Sequence, residues 1–145
     1  KEHGFEQVID YKKTQNIADR VKKLTKGAGV PVVFDSVGKD TWVQSLNSLA
    51  PRGMMVSFGN ASGPVPEFGL GELASRGSLY VTRPSLVAYT STRQDLEKSA
   101  KALFKMVTSG AVKIEVNQTY PLKEAAQAHR DLEGRKTTGS TIFIP

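Results

Sequence analysis

The sequence predicts an α/β fold built on a mainly parallel sheet. Three observations carry that expectation. Strand-like apolar runs alternate with helix-period stripes four times between Val8 and Gly110. The runs at 30–34 and 53–59 are nearly continuous in apolar residues, the pattern of parallel strands buried on both faces. The runs ending near Phe34, Phe58 and Thr82 each pass into small and polar residues: Asp35-Ser-Val-Gly, Phe58-Gly-Asn-Ala-Ser-Gly and Thr82-Arg-Pro-Ser.

The elements follow in order. A short strand is expected over 8–11. Ile17, Ala18, Val21 and Leu24 then fall at helical spacing, with Gly27 as the stop. After the strand at 30–34, Asp40 caps a helix whose stripe is Trp42, Leu46 and Leu49, and Pro51-Arg-Gly ends it. Strand 53–59 leads into a Gly-, Pro- and Ser-rich loop, a short helix over 70–74 and a strand over 78–82. The strongest helix follows: Ser91 and Gln94 make a capping box, Leu96, Ala100, Leu103, Phe104 and Val107 make the stripe, and Gly110 terminates. Beyond it, 112–116 and 119–120 alternate apolar with polar. Pro121 opens a helix through His129 and Leu132, Gly134 closes it, and 141–144 is a last strand.

Composition narrows the function classes. A chain of 145 residues suffices for one domain, not two, and 39% hydrophobic with 23% charged residues is ordinary for a globular protein. The longest apolar runs are four or five residues, so no membrane span is expected, and the first residues lack a signal peptide's apolar core. With no cysteine there is no disulfide, thiolate zinc site or cysteine nucleophile, and with two histidines a multi-histidine metal site is not expected. A reducing, cytoplasmic setting fits. The net charge of +6 invites a nucleic-acid reading, but the charges are scattered and no aromatic residues interleave with them. Solvated helix faces are the better account, and neither nucleic acid nor membrane is expected as a partner.

In open α/β sheets, ligands bind beyond the carboxyl ends of the strands. Three glycine- and serine-bearing ends in succession favour a ligand crevice over three tight turns, because glycines let backbone approach a flat or phosphorylated ligand. The dinucleotide fingerprint is matched only by Gly69-Leu-Gly-Glu-Leu-Ala74, which follows Pro-Val-Pro-Glu-Phe and no strand, and is read as a chance match. No Gly-x-Ser-x-Gly elbow supports a hydrolase. His129 shares a helix face with Ala125 and Leu132 and is read as a packed or capping histidine.

At Asp35-Ser-Val-Gly, Ser57-Phe-Gly-Asn-Ala-Ser-Gly, Gly77-Ser-Leu-Tyr-Val-Thr-Arg-Pro-Ser-Leu and the closing Gly134-Arg-Lys-Thr-Thr-Gly-Ser-Thr-Ile-Phe-Ile-Pro, the chain resembles the zeta-crystallin-like NADPH:quinone oxidoreductases. These are a zinc-free branch of the medium-chain dehydrogenase/reductase superfamily. The resemblance runs from Val8 to Pro145 and implies the carboxyl-terminal part of such an enzyme. The implied fold is an incomplete Rossmann-type doubly wound parallel sheet lacking its first strand–helix–strand. Residues 1–110 would be the partial dinucleotide-binding domain and 111–145 the return to the catalytic domain.

The resemblance also implies a cofactor, NADPH, with quinone as substrate, and a set of site residues. Tyr11, with Lys12 and Lys13 beside it, corresponds to the adenosine and 2′-phosphate end; a half-buried strand-end aromatic is the plain alternative. Ser36 falls at the adenine side. Phe58, Gly59 and Asn60 pass the nicotinamide, Arg83, Pro84 and Leu86 line its pocket, and Arg135 reaches the cofactor from the returning segment. For Arg83 and Arg135 an exposed charge is the alternative, and arginine before proline on a loop favours function at Arg83. No side chain needs to act as acid or base, since the cofactor carries the redox step.

The strand over 8–11 would be third in the family order 3-2-1-4-5-6, leaving about 14 Å to the strand at 30–34, a gap to be closed by rearrangement or filled by another chain. The strand over 78–82 would be an edge that pairs across a twofold axis in a homodimer. Ile142, Phe143 and Ile144 would find another surface or stay exposed. Rival readings are another zinc-free reductase acting on enones or enoyl thioesters, and an inactive, self-associating structural fragment.

Overall fold

The computed structural model describes residues 4–11 and 13–145, in two compact units, Lys1–Tyr89 and Thr90–Pro145. His3 and Lys12 lie outside the described residues.

The first unit holds helix α1 (Ile17–Leu24), strand β1 (Val30–Asp35), helix α2 (Trp42–Ser48), strand β2 (Leu49–Ser57), helix α3 (Gly71–Ser75), strand β3 (Tyr80–Thr82) and a single-turn helix α4 (Leu86–Tyr89). The strands are all parallel, in the order β1-β2-β3. Asn16 caps α1 by accepting from the Asp19 N–H at 3.1 Å, which satisfies one of the first-turn donors. Two prolines disturb the start of the β1–β2 pairing. Pro31 and Pro51 have no N–H to give the ladder, and the register jumps from Val30↔Leu49 to Val32↔Met54. The Arg52 N–H turns instead to the Gly77 carbonyl at 2.7 Å.

From there the register is regular. The row Val33–Met55–Val81 faces the core, where Trp42, Leu46, Met55, Leu49 and Leu79 are buried and Val65, Phe68 and Leu73 pack over them. The Trp42 and Phe68 rings lie 4.8 Å apart, tilted by 46°, a favourable aromatic geometry. The rows on the other face, Val32–Met54–Tyr80 and Phe34–Val56–Thr82, are not covered in the same way: Phe34 is 72% and Tyr80 58% exposed. The continuous apolar run at 30–34 therefore does not mark burial on both faces.

Two further expectations are corrected. Residues 8–11 form no strand; Val8 and Tyr11 are exposed. A strand persists only where a neighbour takes its N–H and C=O groups, and β1, at the edge of its sheet, pairs only with β2 among the described residues. Asp40 does not cap α2. It lies on the surface and its N–H donates to Ser62 Oγ at 3.0 Å, while the N-cap residue is Thr41, which makes no side-chain cap bond.

The second unit contains helix α5 (Arg93–Thr108), strand β4 (Val116–Pro121), a 3-10 turn (Leu122–Glu124), helix α6 (Ala125–Glu133) and strand β5 (Ser140–Ile144). Thr92, not Ser91, caps α5: its hydroxyl accepts from the Asp95 N–H at 3.1 Å and donates to Asp95 Oδ2 at 2.7 Å. Strands β4 and β5 pair in parallel around α6. Tyr120 donates to Asp131 Oδ2 at 3.0 Å, tying the end of β4 to that helix. The Asp131 pKa is lowered by hydrogen bonds from Gln127, Tyr120 and Lys136, and that of Tyr120 is raised by its bond to Asp131. Ile142, Phe143 and Ile144 remain between 40% and 54% exposed. His129 is exposed rather than packed, beside a hollow it lines with Ala128, Leu132, Thr141 and Phe143.

Candidate functional site

The parallel ladder brings the three strand ends side by side: Asp35 sits opposite Ser57, and Val56 opposite Thr82. What leaves the sheet there is the group of three tips singled out in the sequence. The first two are laced together by backbone. Phe58 N–H donates to the Asp35 carbonyl at 2.9 Å, Ala61 N–H to Ser36 at 3.2 Å, and Ser62 N–H to Val37 at 2.8 Å. Ser62 Oγ adds a second bond to the Val37 carbonyl at 2.8 Å, and Lys39 N–H returns to Gly63 at 3.2 Å.

The glycines make that lacing possible. A Cβ on Gly38 would stand 2.5 Å from the Gly63 carbonyl oxygen, and one on Gly59 would collide with the Ser36 carbonyl. Gly38 also has φ +87, where an L side chain is strained. These two glycines are thus required by loop-against-loop packing within the unit.

Asp35 is the charged centre of the first tip and is 4% exposed. Its Oδ1 accepts from the N–H groups of Val37 at 2.8 Å and Gly38 at 2.9 Å; its Oδ2 accepts from Thr41 Oγ1 at 2.7 Å and Ser45 Oγ at 2.6 Å. Burial by itself would raise its pKa. The bonds from Ser45, Gly38, Thr41 and Val37 outweigh that and hold the carboxyl below its ordinary value. The network was not assigned in the sequence, although the spacing offered a signal: hydroxyls six and ten residues beyond the aspartate, one helical turn apart.

Two hollows open at the tips. One of about 140 Å³ is lined by Phe34, Asp35, Ser36, Val37, Thr41 and Ser45. The other, of about 230 Å³, lies among Trp42, Ser57, Asn60, Phe68, Val81 and Arg83. Arg83 is pinned by a bond from its Nη1 to the Ser57 carbonyl at 2.8 Å. Ser36 and Asn60 are exposed, and Phe58 presents half of its surface to solvent. Pro84 and Leu86 continue from Arg83 into α4.

The structure therefore brings Ser36, Phe58, Gly59 and Asn60 together, with Arg83 sharing the hollow of Asn60. Tyr11 lies apart in an exposed turn where the Lys13 and Thr14 N–H groups bond to the Asp10 carbonyl, and it lines neither hollow. Arg135 belongs to the second unit, exposed at φ +56, with its N–H on the Leu132 carbonyl at 3.0 Å. Chemically the tips offer a cation, amide and hydroxyl groups and bare backbone, which suits holding and orienting a ligand. The one buried carboxylate among the described residues, Asp35, has its acceptors occupied.

Comparison with known proteins shows the family. A family described as zinc-binding dehydrogenase matches residues 3–142. A quinone oxidoreductase of Pseudomonas aeruginosa is 52% identical over 145 residues, covering all of this chain and 44% of that protein. The crystal structure of Pseudomonas syringae pv. Tomato DC3000 quinone oxidoreductase superposes with a TM-score of 0.88 at 52% identity, over 94% of this chain and 42% of that one. That of Escherichia coli quinone oxidoreductase, complexed with NADPH, gives 0.89 at 50% identity over 96% and 43%. The chain thus spans less than half the length of the relatives it matches.

Proposed function

We propose, from the premise that this chain belongs to the zinc-binding dehydrogenase family, that it supplies the nicotinamide half of an NADPH site in a quinone reductase. The observation that carries this reading is the row of three tips, the first two laced together, where Ser36, Asn60 and Arg83 border two hollows at the carboxyl ends of parallel strands and Phe58 stands exposed beside them. Such ends are where open α/β sheets bind nucleotides.

Ser36 then meets the adenine side, and Phe58, Gly59 and Asn60 form the wall beside the nicotinamide. Arg83, Pro84 and Leu86 extend that wall, while Tyr11 and Arg135 reach the cofactor from outside the tips. NADPH, when bound, supplies the reducing equivalents that pass to the quinone. The protein's part is to orient the ring against Phe58 and to keep Arg83 fixed through Ser57. The Gly69–Ala74 fingerprint match contributes no phosphate cradle, because it opens a five-residue helix that follows a loop.

The chain's donors do not suit a zinc site. It has no cysteine, and among the described residues no three His, Cys, Asp or Glu side chains cluster, whereas zinc takes at least three such ligands. No step is assigned to zinc.

In the same reading, residues 1–110 are the dinucleotide-binding portion and 111–145 part of the catalytic domain. The outer edge of β3 pairs with a second copy in a homodimer, since it has no strand partner among the described residues. The setting is cytoplasmic; no helix among the described residues is long and apolar enough to cross a membrane.

The test is NADPH titration of the full-length protein, followed by nicotinamide fluorescence, with steady-state rates on 1,4-benzoquinone, an enone and an enoyl thioester. Saturable NADPH binding and fastest turnover of the quinone are expected, and light scattering on the same sample should give a dimer. The 145-residue chain alone should bind NADPH weakly. A full-length protein that fails to bind NADPH, or that prefers the enone or thioester, overturns the assignment.

A further inference from the structure

We propose that Asp35 is a positioning residue for cofactor binding: its carboxylate clamps the first tip onto the opening turn of α2 and, through the backbone of Ser36 and Val37, sets the second tip against it. The proposal rests on the NADPH reading above.

Asp35 lines the 140 Å³ hollow, so a direct contact with ligand is the first possibility to weigh. An ionised carboxylate offers about four lone-pair sites, and here four donors at 2.6 to 2.9 Å fill them. Nothing is left to receive a ribose hydroxyl, an adenine amine or a proton. Any influence on a ligand must therefore pass through the groups Asp35 holds.

Those groups lead straight to the site. The carboxylate fixes the N–H groups of Val37 and Gly38, and with them the carbonyls of Ser36 and Val37. These carbonyls take the N–H groups of Ala61 and Ser62, next to Phe58, Gly59 and Asn60. On the other side it holds Thr41 and Ser45 of α2. The helix itself is anchored independently, by Trp42 and Leu46 in the core. Loosening the clamp should thus free the tips while leaving the core in place.

Asp35→Asn tests this. The asparagine keeps an acceptor for the Val37 and Gly38 N–H groups, and the Thr41 and Ser45 hydroxyls can rotate to accept from its amide, so the fold is retained with weaker, uncharged bonds. In the full-length protein the NADPH dissociation constant and KM should rise about tenfold, the scale of one weakened charge-assisted bond. The kcat should change by less than about twofold and the quinone KM should stay put. Thr41→Ser, which keeps the hydroxyl, should resemble the parent, whereas Thr41→Val should follow Asp35→Asn. Leu46→Val, a core control, should lower the melting temperature without moving the NADPH KM.

Equal NADPH affinity in Asp35→Asn and the parent overturns the proposal, as does a match between its kinetics and those of Leu46→Val. Amide hydrogen exchange separates this from failure of the cofactor reading. If the parent does not bind NADPH, Asp35→Asn must still speed exchange at 36–38 and 58–63 relative to the core strands. Unchanged exchange there sinks the clamp whatever the ligand.

Discussion

Gly59→Ala is the sharpest test of how the tips are built. A methyl on Gly59 would lie 2.8 Å from the Cα of Ser36 and 2.9 Å from its carbonyl carbon, and closer still to the carbonyl oxygen. Carbon atoms rest at about 3.5–4.0 Å, so one tip must retreat by about 0.6–1.2 Å. Both sides of the contact are backbone, and no flexible side chain can absorb the shift. The retreat stretches the Phe58–Asp35 and Ala61–Ser36 hydrogen bonds, now 2.9 and 3.2 Å. Overpacking of this kind costs about 1–3 kcal/mol. If the tips bind NADPH and the distortion falls wholly on them, the equilibrium constant weakens by about fivefold to 150-fold. The measurement is NADPH titration of the full-length protein beside a thermal melt. Gly71→Ala is the matched control: its added Cβ meets nothing within 4 Å and its φ is not positive. As the first residue of α3 it should be neutral or stabilising by up to about 1 kcal/mol. Parent-like affinity in Gly59→Ala refutes the packing argument. An equal loss in Gly71→Ala refutes the dismissal of the Gly69–Ala74 match as a phosphate turn.

Two further outcomes follow from the same geometry. The pKa of Asp35 is depressed in the folded chain, so its ionised form stabilises the fold above the unfolded value of about 3.9, and the contribution disappears as pH falls through the folded value. Denaturant unfolding of the parent and of Asp35→Asn should differ by a constant amount above about pH 5 and converge on acidification; a gap that widens in acid contradicts this sign. Thr92→Ala should destabilise α5 by about 1 kcal/mol through loss of its bond to the Asp95 N–H, read as faster amide exchange in the helix's first turn. Ser91→Ala should leave that exchange unchanged.

How far the sequence could be read depended on whether a feature is local. The α1 stop, the run at 30–34 and the paired alternation of apolar runs with helix stripes all depend on neighbouring residues, and β1, β2 and β3 form in parallel, although β2 begins at Leu49, expected on the α2 stripe, and not at Gly53. Residues 8–11 have the composition of a strand, yet a strand is a property of two segments, and Val-Ile-Asp-Tyr alone cannot specify its neighbour. The run at 30–34 was read as doubly buried because both of its faces are apolar. The register shows that Val33 meets the core while Val32 and Phe34 do not, a difference set by what lies over each face rather than by the strand. The cap errors, Asp40 and Ser91, have another origin. Each sits one residue before a threonine, and which hydrogen-bonding side chain faces the helix depends on the entry angle of the chain. At α2 the Thr41 hydroxyl donates to Asp35, seven residues before the helix begins, and makes no cap bond.

The tip glycines show how one residue pattern can have two physical causes. Glycines at strand ends let a ligand approach bare backbone. In the structure Gly38 and Gly59 are consumed by backbone of the same unit, which would favour them in a protein that binds nothing. The two explanations nevertheless converge on one surface. Packing two loops backbone to backbone leaves Phe58 and Asn60 turned outward and gives the wall beside them no side chain at position 59. A planar ring requires that same smooth wall. On the reading proposed above, a substitution that loosens the lacing without touching Phe58, Asn60 or Arg83 should still weaken binding of a flat ligand. Gly59→Ala and Asp35→Asn reach that condition from opposite sides, one by forcing the loops apart and the other by releasing the clamp between them. Agreement between the two would locate the common cause in the spacing of the tips.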